Sequence, residues 1–445
     1  MSNPGEADLT PITSVRQLAE WFAEGCKPRD AWRIGTEHEK FGFRRADLMP
    51  PPYEPGGIRA MLEGLQGKGW EPILDGGNPI GLKRGGASVS LEPGGQFELS
   101  GAPVEDLHQN RAELAEHLRE VHEVAGPLGL GFVPLGFHPF ARREDMPWMP
   151  KGRYAIMRNY MPRVGGMGLD MMLRTCTVQV NLDFGDEADM AEKLRVSLAL
   201  QPLATALFAN SPFVEGKPSG YLSLRGRAWT DTDPDRTGIP APVFEPGFGF
   251  ERFVQFVLDV PMYFIMREGR WIDAAGMSFR DFLEGRALAG HRATMGDWAD
   301  HVTTVFTDVR LKRFLEMRGA DAGSPPMLRA LPALWVGLLY DDAAQKAAAA
   351  LIRGWGVEEM RALRMAVPRD GLRAAIAGRP LQDVARDVVE IARGGLRARG
   401  LGEEIHLSPL EEVAASGKTQ AERWLDRYNT AWGGDVRKIF DEAEI

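Results

Sequence analysis

Five glutamates occupy positions from which they could act together: Glu37, Glu39, Glu92, Glu98 and Glu316. Alternate side chains of a strand share a face, so Glu37 and Glu39 project together. Held a few ångströms apart, such carboxylates repel unless a proton or a cation sits between them. Gln179 and Asn181 add neutral oxygen donors, and Arg158, Arg225, Arg227, Arg236 and Arg318 add positive charge. A carboxylate set with few histidines selects Mg²⁺, or alternatively Mn²⁺, and these ions bring in substrate phosphates. Arginine beside such a site suits capture of phosphate or of a substrate carboxylate. The combination points to phosphoryl transfer from ATP to an acidic acceptor.

Other chemistries lack their residues. Cys176 falls on the apolar side of its strand by parity and has no adjacent histidine; Cys26 follows Gly25 at a helix end. Both read as unreactive thiols. His38 points away from Glu37 and Glu39 and reads as structural. Gly417-Lys418-Thr419 is not a phosphate loop, because Glu412 stands where that motif needs glycine. No dinucleotide fingerprint opens a helix after a strand.

The elements that must position these residues follow from periodicity. Residues 14–25, 58–66 and 106–125 carry helical apolar stripes. Residues 88–92 and 96–100 alternate on either side of Pro93-Gly94-Gly95, which is either a hairpin turn or a bulge. The alternation at 177–184 puts Val178, Val180, Leu182 and Phe184 inward and Thr177, Gln179, Asn181 and Asp183 outward. That polar face fits a half-exposed strand and a cleft wall equally. Residues 151–168 read as basic and irregular and 275–300 as loop-rich. Residues 190–210 read as a helix bent at Pro202 and 253–260 as another helix, with a strand pair at 263–266 and 271–274. Short helices follow at 331–341, 343–354, 357–365, 372–377, 381–393 and 419–432. The expected architecture is α+β: a loose tail at 1–12, then one integrated catalytic domain over 13–445, with 330–445 a mainly helical cap.

The chain has 445 residues, 44% hydrophobic and 26% charged, with a net charge of −9. An acidic balance argues against nucleic acid as partner. No apolar run approaches the roughly 20 residues that span a bilayer, so no membrane association is expected. The first dozen residues lack the basic and apolar regions of a secretory signal. With two cysteines there is no disulfide framework, and a cytoplasmic setting is expected.

Several motifs together resemble the plant-type glutamate–cysteine ligases, a family that also occurs in bacteria. They are residues 35–41 around Glu37 and Glu39, residues 91–101 around Glu92 and Glu98, Pro150-Lys151-Gly152-Arg153-Tyr154, residues 158–162, residues 174–184, and Leu315-Glu316-Met317-Arg318-Gly319-Ala320-Asp321. The resemblance runs from about residue 14 to the end. It implies a curved antiparallel sheet funnel similar to that of glutamine synthetase, with helices outside. It further implies ATP-dependent joining of the γ-carboxylate of L-glutamate to the amine of L-cysteine through γ-glutamyl phosphate, the first step of glutathione biosynthesis. By that resemblance Glu37, Glu39, Glu92, Glu98, Glu316 and Gln179 hold Mg²⁺, Arg318 and Glu316 serve catalysis, and Arg158, Asn181, Arg225 and Trp229 shape the substrate sites. The implied form is a bacterial cytosolic monomer or homodimer without plant-style redox control. A ligase of this scaffold using another amine, or a non-catalytic ligand sensor, are the competing readings.

Overall fold

The longest described strand, β1 (Ile34–Arg44), carries five successive polar residues, Thr36 to Lys40, all of them buried. Such a strand needs partners for its polar groups, and the computed structural model, which describes residues 8–445, supplies them from a nine-stranded sheet. The other strands are β2 (Glu71–Asp75), β3 (Asn78–Arg84), β4 (Ala87–Leu91), β5 (Phe97–Ser100), β6 (Leu130–Val133), β7 (Thr177–Leu182), β8 (Val309–Leu311) and β9 (Leu315–Asp321). Their order is β8-β9-β7-β1-β5-β4-β3-β2, and β6 pairs with the far end of β1. Every pairing in this sheet is antiparallel, and the sheet stays open, with β8 and β2 as its edges.

Helices flank the sheet. In chain order they begin with α1 (Val15–Ala23), α2 (Ile58–Gln66), α3 (Leu107–Ala125), α4 (Gly152–Tyr160), α5 (Gly168–Arg174), α6 (Glu187–Leu207) and α7 (Leu224–Trp229). Next come α8 (Phe250–Asp259), α9 (Phe279–Leu283), α10 (Met295–Thr303), α11 (Pro325–Leu339), α12 (Asp342–Leu351), α13 (Val357–Asp370) and α14 (Leu381–Arg399). The last three are α15 (Ser408–Ser416), α16 (Gln420–Asn429) and α17 (Lys438–Ala443). Helices α3 and α11 cover the back of β1 and β7. Val178, Val180, Leu182, Leu315 and Met317 share one core with α6, α11 and α14, while Leu82, Val89, Leu91, Phe97 and Leu99 share another with α2 and α3. Helices α11 and α14 thus form a layer behind the sheet, while Trp424 of α16 and Phe440 of α17 share a core with Phe41 and Phe43 of β1.

Several local expectations change. Residues 1–7 of the expected tail lie outside the described residues. Residues 8–12 are tied to the start of α10: Ile12 N donates to Ala293 O at 3.0 Å and Met295 N to Thr10 O at 2.9 Å. The stretch at 151–168 is largely helical, because Tyr154, Met157, Tyr160 and Met161 bury a stripe at helical spacing among the basic residues. Residues 275–300 contain α9 and most of α10, whose capping box pairs Thr294 with Asp297. The run at 372–377 is a single 3₁₀ turn leading into a two-residue strand, Ala375–Ile376, paired with Arg379–Pro380. Among the described residues no helix is long and apolar enough to cross a membrane.

Candidate active site

Residues directly opposite across paired strands lie on one face, and the register therefore maps the front of the sheet. Glu37 faces Ser100 on one side and Gln179 on the other; Glu39 faces Glu98, and Glu98 faces Ser90. Asn181 faces both Gly35 and Glu316, and Glu316 faces Arg310. Pro93-Gly94-Gly95 is a hairpin turn: β4 and β5 pair antiparallel across it, Gly95 adopts φ +84°, and Glu92 N donates to Gln96 O at 3.0 Å. Sequence alternation thus places all five glutamates on or beside one sheet face.

Its centre is acidic. Asn181 Nδ2 donates to Glu37 Oε1 at 2.9 Å, Thr177 N to Glu39 Oε2 at 3.0 Å and Ser100 Oγ to Glu98 Oε1 at 2.8 Å. Burial, with Glu92 and Glu98 nearby, holds the Glu39 carboxyl well above the ordinary range, while Arg225 pulls the other way. A cation placed among these carboxylates would relieve that cost. Asn181 Oδ1, buried and without a hydrogen-bond partner, supplies a further oxygen. The donor set therefore fits a hard divalent cation. Among the described residues no three His, Cys, Asp or Glu side chains are already gathered as a closed metal cage. Mg²⁺ bound through few carboxylates, water and substrate phosphate needs no such cage.

The β8–β9 corner of the same face is cationic. Glu316 is fully buried; Arg310 Nη2 approaches its two oxygens at 2.7 and 2.9 Å, Lys312 Nζ reaches Oε2 at 2.7 Å, and Arg318 Nη1 pairs with Oε1. Burial alone would raise the Glu316 carboxyl, but Arg310, Lys312 and Arg318 outweigh it and hold it well below the usual range. As an expected metal ligand Glu316 is thus differently engaged: both oxygens face cations. Arg318 sits at a β-bulge, since Met317 pairs with Val180 and Ala320 with Val178, leaving two residues opposite Gln179. The bulge turns Arg318 across to Gln179 Oε1, at 2.8 Å.

Beside this face opens a narrow cleft lined by Glu39, Glu92, Gln179, Arg225, Trp229 and Arg318, with Met157 and Phe306 on its apolar side. Helix α7 aims Arg225 and Trp229 into it. Ser223 caps that helix, accepting from Gly226 N at 2.9 Å and donating to buried Asp321 at 2.8 Å. Arg225 Nη2 then reaches Arg318 O at 2.8 Å. The other arginines go elsewhere. Arg158 is exposed and lies 4.7 Å over the Trp148 ring, not among the cleft-lining residues. Arg227 pairs with Asp231, and Arg236 forms a wholly buried pair with Asp233 at 2.6 Å. Sequence reading passed over Arg310, Lys312 and Phe306. Arg310 and Lys312 alternate in phase across the turn from Glu316, which was the available signal. Cys26 and Cys176 are unpaired, and His38 lies on the opposite face, 5.5 Å from the ring of His117.

The fold is similar to that of a solved glutamate–cysteine ligase (gshA) from Francisella tularensis in complex with AMP: the TM-score is 0.57 at 12% identity, over 93% of this chain and 87% of that one. That likeness defines the fold class. The family described as Glutamate-cysteine ligase family 2 matches residues 33–442, and the chain belongs to it. It is 54% identical over 435 residues to the chloroplastic glutamate–cysteine ligase of Arabidopsis thaliana and 53% identical over 435 residues to that of Nicotiana tabacum. In both comparisons 97% of this chain and 83% of the relative are covered.

Proposed function

We propose that the protein joins the γ-carboxylate of L-glutamate to the amine of L-cysteine at the expense of ATP. Membership of the ligase family supports the reaction, and one observation carries the site: an acidic centre and a cationic corner share the sheet face beside the cleft. A γ-carboxylate oxygen of glutamate attacks the terminal phosphorus of ATP, ADP leaves, and the acyl phosphate forms. The cysteine amine attacks the acyl carbon, phosphate leaves with the C–O bond electrons, and the nitrogen loses a proton. Glu37, Glu39, Glu92 and Glu98, with the oxygens of Gln179 and Asn181, would hold Mg²⁺ or Mn²⁺. When bound, that ion screens the phosphate charge. Arg318 offsets charge on the transferring phosphoryl group, and its contact with Gln179 keeps it in place. Arg225 and Trp229 shape the amino-acid end of the cleft. The unpaired Cys26 and Cys176 suit a reducing compartment, and the reading places the enzyme in the cytoplasm.

The test is phosphate release from ATP and Mg²⁺ with L-glutamate, with and without L-cysteine, followed by mass analysis. Cysteine-dependent release with a γ-glutamylcysteine mass is the expected result. Faster release with another amine would move the acceptor, and none with any amine would overturn the reading.

A further inference from the structure

Residues two apart on a helix do not share a face. Arg225 of α7 enters the cleft, and Arg227 accordingly leaves it and lines a separate cavity of about 370 Å³ between α7 and α13. Sites for small ligands commonly span roughly 300–1,000 Å³. The cavity shares no lining residue with the cleft. Four of its residues are charged: Arg227 and Asp231 on the α7 side, Arg369 and Asp370 on the α13 side. The first two are committed. Arg227 Nη2 lies 3.2 Å from Asp231 Oδ2, and Gly166 N donates to Asp231 Oδ1 at 3.0 Å. The second two are not. Arg369 and Asp370 adjoin in sequence, yet among the described residues neither forms an ion pair with the other or with any third side chain. Arg369 Nη2 donates to the Tyr221 hydroxyl at a long 3.5 Å and its guanidinium lies 5.3 Å from the centre of that ring. The Arg369 guanidinium, with Arg227 beyond it, holds the Tyr221 hydroxyl below its ordinary range, which marks this end as electropositive. Met365, 57% exposed, adds apolar surface beside the unpaired charges.

We propose that this cavity is a second small-molecule site and takes a zwitterion, an amino acid or short peptide whose carboxylate meets Arg369 and the Tyr221 hydroxyl and whose ammonium meets Asp370. A planar guanidinium suits a carboxylate, and an ionised aspartate only accepts, so it calls for a donor. The four charges sum to zero, which favours a molecule carrying both signs over a polyanion or a polycation. The occupant bears on the cleft through α7. Leu222 N and Ser223 N both donate to Pro368 O, at 2.8 and 3.0 Å, and Arg364 Nη2 donates to Trp229 O at 3.0 Å, so α13 holds α7 at both ends. A ligand wedged between these helices shifts α7, and with it Arg225 and Trp229. The binding site stands apart from the ligase reading above; its effect on turnover rests on that reading.

The test is methyl NMR of the intact protein, with the Met365 methyl, assigned through Met365→Leu, reporting on the cavity. Glycylglycine and glycine are expected to shift it saturably, the tighter of the two deciding between peptide and amino acid. N-acetylglycylglycine lacks the ammonium and glycylglycinamide the carboxylate; each is expected to bind about 10-fold more weakly than glycylglycine, the loss of one charge-assisted contact. Arg369→Gln should weaken glycylglycine to the same degree. Asp370→Asn should do so too while binding N-acetylglycylglycine no more weakly than the parent does. A shift that grows without saturating, or equal affinity for the free and blocked peptides, overturns the site. Saturating glycylglycine is further expected to change the rate of γ-glutamylcysteine formation at least twofold in the parent and not in Arg369→Gln. Binding without that change overturns the coupling through α7. A parent that forms no γ-glutamylcysteine without the peptide would overturn the ligase reading and leave the binding site standing.

Discussion

Glu316 and Glu37 lie on the same sheet face, yet removing their charges should have different consequences. Glu316 is the shared ion-pair partner of three buried or nearly buried cations. Glu316→Gln leaves those charges without their counter-ion, and breaking such a buried network costs about 3 kcal/mol or more. The variant is expected to lose both activity and stability, the latter read by urea denaturation. Glu37 accepts from Asn181 Nδ2 and has no comparable ring of cations, so Glu37→Gln should abolish turnover while the urea midpoint stays near the parent's. Equal stability of the two variants would contradict the counter-ion role of Glu316. Arg318→Lys keeps the charge but replaces the planar guanidinium, whose Nη1 meets both Glu316 and Gln179, with a point charge on a flexible stem. A fall in kcat of about 100-fold is expected from losing one preorganised donor; a fall below threefold would remove Arg318 from the phosphoryl group.

At the scale of elements, the bulge in β9 is the device that aims Arg318. It closes on Gly319, where an added Cβ would stand 2.3 Å from Gln201 Oε1, the atom that accepts from Gly319 N at 2.7 Å. Gly319→Ala must swing the Gln201 side chain aside, breaking its bond to Gly319 N, and it crowds Gln201 O at 3.2 Å, at a cost of about 1–3 kcal/mol. Thermal melting should report that loss, and kcat should fall, because the loop that aims Arg318 is disturbed; unchanged kcat would show that the bulge does not set the position of Arg318. Helix α10 carries a second local conflict. Burial pushes the Asp300 carboxyl from its usual 3.8 up to about 6, although Arg153 partly offsets this. Below pH 3.8 the group is protonated in both states and is neutral in effect. Between 3.8 and 6 the unfolded chain releases its proton first, so stability falls as pH rises, and above 6 the full penalty applies. Asp300→Asn should therefore stabilise the fold by about 3 kcal/mol at pH 8 and by well under 1 kcal/mol near pH 4. Equal effects at both pH values would show that Asp300 does not titrate in this way.

The whole molecule should be acid-sensitive. His138 and His301 are held at about 3 by burial, far below the usual 6.5. The unfolded chain takes up protons below pH 6.5 that the folded chain refuses, so stability present above 6.5 is lost as pH falls toward 3. At pH 5 this amounts to about 2 kcal/mol per histidine. Asp300 opposes it with a smaller gain over pH 6 to 3.8. Urea midpoints are expected to drop between pH 7 and pH 5, and a flat profile would mean the histidines are hydrated. The same whole-molecule view explains the helices after residue 325. Of these, α11 and α14 bury the back of β1 and β7, so the sheet depends on them for one of its two layers.

Alternation and turn chemistry in the sequence determined the strands that carry Glu37, Glu39, Glu98, Gln179, Asn181 and Glu316, because the side-chain period of a strand is a local property. They also determined that these residues share polar faces, and the caps and stripes of α2 and α3 were legible to within a residue. Pro93-Gly94-Gly95 was legible as a break but not as a turn, since only the pairing of β4 with β5 distinguishes a hairpin from a bulge. Tertiary structure alone decided which strands became neighbours. It brought Arg310 and Lys312 onto Glu316 and left Arg158 outside the cleft on Trp148. It buried the polar face of β7 as a cleft wall rather than leaving it in solvent. Charge alone could not make those choices: an arginine carries the same charge on an exposed helix as in a cleft, and only the packing of distant segments sets which carboxylate, ring or ligand it meets.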